Sequence, residues 1–234
     1  MKNKQIQYLD LGSSEYQLTW NRQEELLNNI VKIKRTNSNL EAIDSKQTPN
    51  YLIFVEHPHV YTLGKSGDEH NLLLNYIQLQ AKEATFFKTD RGGDITYHGP
   101  GQLVGYPIID LENFGIGLRQ YIYYIEETII RTLDTFGIEA MRDPNATGVW
   151  IDVGKPTSRK ICAIGVRSSR FVTMHGFAFN INTNLDYFNH INPCGISDRG
   201  VTSLEKELGS TQNFEHIKEI VRSKFAEIFG ATII

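Results

Sequence analysis

The sequence lacks the features that mark several large classes of protein. Its 234 residues include only two cysteines, Cys162 and Cys194, and no CxxC pair, so neither a disulfide framework nor a cysteine-rich zinc site is expected. No window approaches the ~18 apolar residues of a membrane span, and the polar start, Met1–Asp10, has no signal-peptide core. These absences predict a cytoplasmic protein in a reducing compartment, where a free thiol stays available for chemistry.

A strong excess of charge is absent as well. The net charge of −3 gives no broad attraction to phosphate backbones or anionic membranes, so neither nucleic acid nor a membrane is expected as a partner. His57 and His59 flank Pro58, but no third and fourth ligand accompany them, so no metal site is predicted. Hydrophobic residues at 40% and charged residues at 22% are typical of an ordinary globular protein. A chain of this length can bury a large core without disulfide bonds or metal ions to stabilise it.

Hydrophobic patterning predicts helices and strands that interleave without strict alternation, which favours an α+β fold over a doubly wound one. We expect a single domain, 1–234, with a small C-terminal lobe from about residue 185 as an alternative division. Gly176, in a long predicted strand, marks a bulge or a point of close approach. The predicted strands are Gln5–Leu9, Tyr51–Val55, Val60–Leu63, Thr85–Lys88, Leu103–Asp110, Gly148–Ile151, Ile161–Val166 and Phe171–Asn182; the helices are Glu15–Arg35, Leu118–Phe136 and Phe214–Phe229; Thr36–Asn50 is a predicted loop.

The glycine-rich segment Arg91–Gln102, RGGDITYHGPGQ, is the densest signal in the chain. Its four glycines allow the backbone to approach a ligand closely, and a turn of this kind between two strands presents N–H groups to a carbonyl or a phosphate. A tight surface hairpin explains the same composition equally well. The segment matches neither the P-loop nor the GxGxxG pattern.

Two further segments offer a nucleophile and a partner for it. Cys194 stands between a proline and a glycine, which presents a thiol on a turn, although free cysteine is more often a small buried hydrophobe. Lys160 begins an apolar strand, where the sheet edge would hold its amine as a base or as an ammonium beside a thiol; a solvated strand-end charge is the plainer alternative. Cys162, farther along that strand, is expected in the core. His98 and His175 each precede a glycine; each could orient substrate or donate to an oxyanion, and a structural role is equally compatible.

Taken together, these segments resemble the octanoyltransferases of lipoate biosynthesis, which move an octanoyl group from acyl carrier protein to a lysine of a lipoyl domain. The resemblance covers about Val55 to Leu204, and the order and combination of its motifs are highly specific. Two departures, Cys162 in place of a smaller residue and a longer loop at Thr36–Thr48, leave the catalytic pair untouched. The motifs are Glu56–Pro58 with Val60–Gly64, Arg91–Gly93 and Thr96–Leu103 with Tyr106–Pro107, Gly148–Trp150, Lys160–Ile161 with Ile164–Gly165, His175–Ala178 with Asn180, and Ile191–Gly195.

The resemblance implies a thioester on Cys194, with Lys160 as the partner that manages its proton. It also implies the catalytic fold shared with biotin and lipoate protein ligases, a mixed β-sheet with packed helices, and a reaction that needs no ATP, metal or other cofactor. The implied partners are acyl carrier protein and the lipoyl domains of 2-oxo acid dehydrogenase complexes and the glycine cleavage H-protein. The implied substrate-binding residues are Arg91, Gly92, Gly93, Asp94, Ile95, Thr96, Tyr97, His98, Ala163, Ile164, Gly165, Gly176, Phe177 and Ala178.

Three other interpretations compete with this one. An ATP-dependent lipoate or biotin ligase of the same fold would use an acyl-adenylate and need no cysteine, and a non-catalytic binding module would lose the pair; the presence of Cys194 and Lys160 argues against both. A cysteine hydrolase would release the octanoyl group to water instead of to protein. Candidate docking charges for an acidic acyl carrier protein, each equally interpretable as an ordinary solvated arginine, are Arg142, Arg159, Arg167 and Arg170.

Overall fold

The structure is a computed structural model that describes residues 2–41, 44–192 and 199–234. Strands and helices interleave along it irregularly, as the hydrophobic pattern predicts. The strands are β1 (Gln5–Ser13), β2 (Tyr51–Glu56), β3 (Val60–Leu63), β4 (Thr85–Lys88), β5 (Ile95–His98), β6 (Gln102–Ile108), β7 (Met141–Asp143), β8 (Ala146–Ile151), β9 (Arg159–Ser169), β10 (Val172–Asn180), β11 (Gly200–Val201) and β12 (Thr232–Ile233). The helices are α1 (Tyr16–Asn37), α2 (Tyr76–Ala81), α3 (Leu111–Phe114), α4 (Leu118–Asp134), α5 (Leu204–Leu208) and α6 (Phe214–Phe229), with 3₁₀ turns at Glu69–Asn71 and Leu185–His190.

Two sheets organise these elements. The large sheet has the order β12-β1-β2-β6-β10-β9-β8-β7, with β11 added beside one end of β9, and the small sheet has the order β4-β3-β5. Strand β1 runs parallel to β2 and β12, and β11 runs parallel to β9. The pairs β2–β6, β6–β10, β10–β9 and β9–β8 are antiparallel. The predicted α+β class, with a mixed sheet and packed helices, is therefore confirmed.

Apolar side chains cover both faces of the large sheet. On one face α4 packs Tyr121, Ile125 and Ile129 into a core shared with α6, and these residues recur every four positions as an amphipathic helix requires. On the other face α1 packs Leu27 and Ile30 against β2, β6 and β10. The small sheet lies with its own apolar cluster next to the Leu185–His190 turn. The candidate site lies on the face that carries α1.

The C-terminal helix shows how closely local sequence sets an element. The Asn213 side chain accepts a hydrogen bond from the amide of His216 and so caps α6 at its start. Gly230 ends the helix in the left-handed conformation that glycine adopts without a Cβ penalty. Between these signals the helix covers Phe214–Phe229, as predicted.

Two sequence-based expectations about the strands are wrong. The glycine-rich segment is not a plain turn between two strands, because it contains β5, which pairs with β3 in the small sheet. Strand β4 belongs to the small sheet and β6 to the large one, so they do not form a hairpin.

The expectation for Gly176 is confirmed as a close approach: a Cβ there would lie 2.1 Å from the carbonyl oxygen of Gly105. Among the residues described, no helix combines the length and the apolar character that crossing a bilayer demands.

Candidate active site

A cavity of about 340 Å³ opens on the face of the large sheet that carries α1. Its floor consists of small residues at cross-strand positions of β9 and β10, where Ala163 is paired with Ala178 and Gly165 with Gly176. Alternate residues of a strand share one face, so these four positions present little side chain on the same side of the sheet. The missing side-chain volume creates room for an apolar ligand above the strands.

Lys160 reaches this cavity through an irregularity of β9. Trp150 and Val149 are consecutive on β8, yet they pair with Lys160 and Cys162, so Ile161 is an extra residue. Strict alternation would place Ile161 with Ala163 above the floor; instead Ile161 and Cys162 both belong to the core on the opposite face. A bulge of this kind re-aims the neighbouring side chain, and Lys160 therefore lines the cavity.

The predicted location of Lys160 at a sheet edge is wrong. Strand β8 pairs with it on one side, through Trp150, and β11 pairs with it on the other, through Val201. The amide of Thr202 donates to the Lys160 carbonyl at 3.0 Å, so the backbone of this residue is held from both sides. The amine is consequently fixed by the interior of the sheet rather than by a frayed strand end.

An indole ring and two ionic groups surround the Lys160 amine. Its Nζ lies 4.6 Å from the centroid of the Trp150 ring, and the Arg199 guanidinium lies 5.3 Å from the same ring, both within the range of cation–π contact. Arg199 forms an ion pair with Asp143, whose carboxyl has a lowered pKa because the Asn145 amide donates to it and because Arg199 and Lys160 stabilise its anion. Two cationic groups therefore converge on the Trp150 ring at this end of the cavity, and Arg199 is paired with a carboxylate.

Cys194 lies outside the described residues, and so do the proline and the glycine that flank it. The chain before this segment is anchored by the amide of Asn192, which donates to the Asn71 carbonyl at 2.8 Å. Ile191, three positions before Cys194, and Arg199, five positions after it, both line the cavity. Cys162 cannot substitute for it as a nucleophile, because it is buried in the core and burial raises the pKa of its thiol far above the usual range.

His98 is held as a neutral imidazole by its neighbours. Its Nδ1 lies 2.8 Å from the amide oxygen of Gln102 and therefore donates to it, so that Nε2 is the acceptor, 3.4 Å from the Thr62 hydroxyl. The Gln102 amide nitrogen in turn donates to the Asn180 side-chain oxygen at 2.9 Å. Burial lowers the pKa of His98 to about 3, with nearby His57 and Arg91 acting in the same direction. Of the two roles considered from the sequence, this geometry favours the structural one.

His175 differs in leaving one ring nitrogen without a partner. Its Nε2 lies 2.8 Å from a carboxylate oxygen of Asp90 and donates to it, and Arg167 forms an ion pair with the same carboxylate. Nδ1 is buried and has no hydrogen-bond partner among the described residues. Burial lowers the pKa of His175, against the opposing influence of Asp90. Because His175 lines the cavity at the end remote from Lys160, its Nδ1 is an acceptor available to a water there.

The glycine-rich segment forms another wall of the cavity, but not through free amides. Arg91 is buried and donates to the carbonyl and the hydroxyl oxygen of Thr62, at 2.6 Å and 2.9 Å. The amide of Gly92 donates to the Val166 carbonyl, and that of Gly101 donates to the Glu56 carboxylate. The expectation that amides of this turn face a ligand is therefore wrong for these two glycines.

Most of the residues expected to contact substrate surround the same cavity. Gly92 and Tyr97 are the exceptions. Tyr97 points to the other face of β5, where its hydroxyl lies 2.7 Å from Nδ1 of His59 and its ring stacks on Tyr187. The residues of the expected set that line the cavity are Arg91, Gly93, Asp94, Ile95, Thr96, His98, Ala163, Ile164, Gly165, Gly176, Phe177 and Ala178.

Three of the four candidate docking arginines are occupied by ion pairs within the chain. Arg142 pairs with Glu126 and Glu127, Arg159 with Asp152 and Glu207, and Arg167 with Glu24 and Asp90. Arg170 is exposed at the tip of the β9–β10 hairpin, where it has a φ of 51°. A solvated or structural role therefore fits the first three better than docking does.

The set of site residues predicted from the sequence omits several residues of the cavity wall, Tyr16 and Arg199 among them. Tyr16, at the start of α1, closes the remote end and stacks on His98 with ring centroids 6.1 Å apart. Arg199 lies with Lys160 at the other end. The helical period of α1 contains a signal for burial of Tyr16, whereas nothing in the sequence pairs Arg199 with Asp143. Within the described ranges, no three His, Cys, Asp or Glu side chains come together as metal ligands.

Comparisons with known proteins place the chain in a family. The lipoyl protein ligase A/B catalytic domain matches residues 15–226. The octanoyltransferase of Flavobacterium psychrophilum is 56% identical over 233 residues, which are 99% of this chain and 100% of that protein. The chain belongs to the octanoyltransferase family. A second relative in this family, the octanoyltransferase of Bacteroides thetaiotaomicron, is 52% identical over 222 residues, which are 95% of this chain and 94% of that protein.

Solved structures support the same fold assignment at much lower sequence identity. A bi-partite lipoate protein ligase from Thermoplasma acidophilum superposes with a TM-score of 0.66 at 14% identity, over 99% of this chain and 88% of that one. A lipoate-protein ligase A bound with ATP gives a TM-score of 0.65 at 14% identity, over 100% of this chain and 88% of that one. This member of the octanoyltransferase family therefore has the catalytic fold of the lipoate protein ligases, which confirms the expectation from the sequence.

Proposed function

We propose that the chain transfers an octanoyl group from octanoyl-acyl carrier protein to a specific lysine of lipoyl domains, through a thioester on Cys194. Membership of the octanoyltransferase family supports octanoyl transfer to lipoyl-domain acceptors in protein lipoylation. The carrier-protein donor, the target lysine and the acyl-enzyme are our additions. The acceptors would be lipoyl domains of 2-oxo acid dehydrogenase complexes and the glycine cleavage H-protein.

The observation that carries this proposal is the placement of Lys160. Its amine stands at one end of a cavity. The floor of this cavity is apolar and consists of small residues, which include Ala163 and Ala178. Ile191 and Arg199, which flank the segment that bears Cys194, both line the cavity. An acyl chain lying over the floor with its carbonyl at the Lys160 end would bring the reacting carbon to the nucleophile and the base together.

The first half-reaction would load the enzyme. Lys160 takes the proton of the Cys194 thiol, or holds the thiolate as an ion pair, and the sulfur attacks the carbonyl carbon of the donor thioester. A new S–C bond forms as the carrier's S–C bond breaks, and the carrier thiol leaves with the proton returned by Lys160. One thioester replaces another, so the step is nearly balanced in energy and reversible.

The second half-reaction would deliver the acyl group. The neutral amine of the target lysine attacks the Cys194 thioester, a C–N bond forms, and the cysteine sulfur leaves. Lys160 accepts the proton that the attacking nitrogen loses. Formation of the amide drives the transfer forward, and the thioester supplies the energy that a ligase would take from ATP. The proposed cycle therefore balances without ATP, metal or another cofactor.

Intact-mass analysis after mixing with octanoyl-acyl carrier protein, without ATP, tests this proposal. The wild-type chain is expected to gain one octanoyl group that hydroxylamine removes. Cys194→Ser is expected to gain none, or a stable ester, whereas Cys162→Ala is the matched control and should acylate normally because Cys162 is buried in the core. Lys160→Met should slow acylation by roughly 10²–10⁴-fold, the usual contribution of a positioned base.

The same measurement separates the competing interpretations. A wild-type chain that shows no adduct even after rapid quenching would exclude the covalent route, and dependence on ATP would identify a ligase. Free octanoic acid appearing in place of acylated lipoyl domain would identify a hydrolase. Binding of both proteins without any transfer would identify a non-catalytic module.

A further inference from the structure

The small-residue floor of the cavity is covered by a side chain at one point. A Cβ at Gly165 would lie 3.1 Å from Cδ of Arg91 and 3.3 Å from its Nη1, so the arginine lies directly over this glycine. A Cβ at Gly64 would lie 2.9 Å from the same Nη1, and one at Gly93 would lie 3.5 Å from it. Three glycines therefore leave the space that the Arg91 side chain occupies.

Thr62 holds Arg91 in that place. Nη2 of Arg91 donates to the carbonyl and the hydroxyl oxygen of Thr62 at 2.6 Å and 2.9 Å, and Nε lies 3.3 Å from the same hydroxyl. Nη1 donates to the Gly92 carbonyl at 3.1 Å. Both Arg91 and Thr62 are buried, and separating a buried charge from its partners is strongly destabilising. The guanidinium is therefore a fixed part of the cavity wall.

The length of floor that Arg91 leaves open matches a medium-length chain. From Lys160 to Ile164, the residue before Gly165, the floor extends for roughly 13 Å at the rise of a strand. An extended eight-carbon chain is roughly 10 Å long, and carbon–carbon contact at its terminal methyl adds roughly 4 Å. Two more carbons would add roughly 2.5 Å. An acyl chain that starts at the Lys160 end therefore reaches Arg91 with its eighth carbon.

We propose that Arg91 sets the upper limit of acyl chain length, and that Thr62 is the positioning residue that holds it in place. This inference rests on the proposed octanoyl transfer and names what determines its selectivity. A longer chain must either displace the guanidinium from Thr62 or press its terminal methyl groups against a buried charge. In both cases the free energy gained by burying the extra methylenes is lost.

Competition between octanoyl- and decanoyl-acyl carrier protein for transfer tests the limit. Arg91→Ala should raise the ratio of decanoyl to octanoyl transfer by roughly tenfold, since each newly buried methylene is worth about fourfold in binding. Thr62→Val removes the hydroxyl and should raise the ratio by a smaller factor, whereas Thr62→Ser should keep the wild-type ratio. Thr89→Val is the matched control, because it removes a buried hydroxyl that donates to the Leu63 carbonyl, and it should leave the ratio unchanged.

Titration calorimetry on a Cys194→Ser background measures the same limit without catalysis. The probes are the octanoyl and decanoyl thioesters of N-acetylcysteamine. With Arg91 and Thr62 intact, the decanoyl thioester is expected to bind no more tightly than the octanoyl one. Adding Arg91→Ala or Thr62→Val should give the decanoyl thioester the advantage. Thr62→Val changes the side-chain volume little, so it keeps the test decisive if Arg91→Ala does not fold.

The two measurements separate this inference from the proposed transfer. A chain that forms no acyl-enzyme, yet loses its length limit in the titration when Arg91 is replaced, would refute the transfer and support the inference. Octanoyl transfer with a decanoyl ratio that neither Arg91→Ala nor Thr62→Val changes would overturn the inference alone. An equal rise of the ratio in Thr89→Val would also overturn it, because general loosening of the small sheet would then explain the change.

Discussion

Two neighbours, Gly148 and Glu126, support the position of Lys160. Gly148 has a φ of 125°, a backbone conformation that residues with a side chain rarely adopt. Its amide donates a hydrogen bond to the Glu126 carboxylate at 3.1 Å. A Cβ at Gly148 would lie 2.5 Å from the Cys162 carbonyl oxygen and 3.4 Å from Cε of Lys160. The glycine therefore allows β8 to approach β9 closely at the bulge, and the stem of Lys160 passes directly over it.

Substitution of Gly148 is expected to lower the free energy of unfolding and to displace the side chain of Lys160. Gly148→Ala meets a backbone oxygen as well as an unfavourable φ, so we expect a loss of about 3 kcal/mol or more in the free energy of unfolding. Gly154→Ala is the matched control, because Gly154 also has a positive φ of 81° but its Cβ would meet nothing within 4 Å; it should lose only about 1–2 kcal/mol. Urea denaturation measures both changes, and equal losses would contradict the close-approach argument.

At the scale of single elements, β9 and β10 act as a platform with two different sides. Their small residues face the cavity, while Cys162 and Phe179 contribute to the core under α4 and α6. The extent of the platform from Lys160 to Gly165 is roughly 17 Å at the rise of a strand, longer than the roughly 10 Å of an extended eight-carbon chain built from bonds of about 1.5 Å. Buried polar groups, His175 and Arg91 among them, occupy the remote end.

Filling the platform is expected to shorten the acyl chain that the cavity accepts. Ala163→Val adds two methyl groups over the floor, so transfer of octanoyl should fall relative to hexanoyl by roughly fourfold or more, about one methylene of binding. Cys162→Val is the matched control: it adds bulk at the adjacent position on the core face and should leave the selectivity unchanged. Competition between octanoyl- and hexanoyl-carrier protein measures the ratio. An unchanged ratio in Ala163→Val would show that this floor does not hold the tail.

The sequence predicted elements whose signals are local and missed those that tertiary contacts create. α6 is predictable because its cap, apolar period and terminal glycine lie within the same segment. β5 was missed because four residues within a glycine-rich stretch carry too little pattern of their own. The bulge at Ile161 and the added strand β11 arise from pairing with residues distant in the sequence. For this reason the sequence pattern predicts Lys160 at a sheet edge, whereas strands pair with it on both sides. Tyr97 was wrongly assigned to the cavity because a motif does not report which face of a strand each residue occupies.

At the scale of the whole molecule, buried neutral imidazoles connect the large sheet to the small one. His57 lies 2.7 Å from the Ser14 carbonyl and 2.8 Å from the Tyr106 hydroxyl, which fixes Nδ1 as its donor. Burial lowers the pKa of His57 to about 4, and burial lowers that of His98 to about 3. Neither ring can accept a second proton without losing a hydrogen bond or remaining as a buried charge.

Stability is expected to fall as the pH falls from about 6.5 towards 4. Above the ordinary histidine pKa of about 6.5 both states are neutral and the two histidines contribute no pH dependence. Below this pKa the unfolded chain binds protons that the native state does not bind. The free energy of unfolding is therefore expected to fall by about 2 kcal/mol for each histidine at pH 5. Urea unfolding between pH 7.5 and 5 measures the slope. His98→Gln should lower stability at pH 7.5 yet reduce the slope; an unchanged slope would contradict the assignment.

Of the two tryptophans of the chain, Trp150 lines the cavity, and Trp20 lies beside the ring of His175, which lines its other end. Trp150 touches the cations at the Lys160 end, and Trp20 lies 6.1 Å from the His175 ring at the other. Indole emission responds to nearby charge and to water, so the protein contains a built-in optical reporter at each end. A Trp20→Phe chain would signal the arrival of a head group, and a Trp150→Phe chain would signal the depth that a tail reaches. The progress of a ligand along the cavity therefore becomes visible in real time without any label.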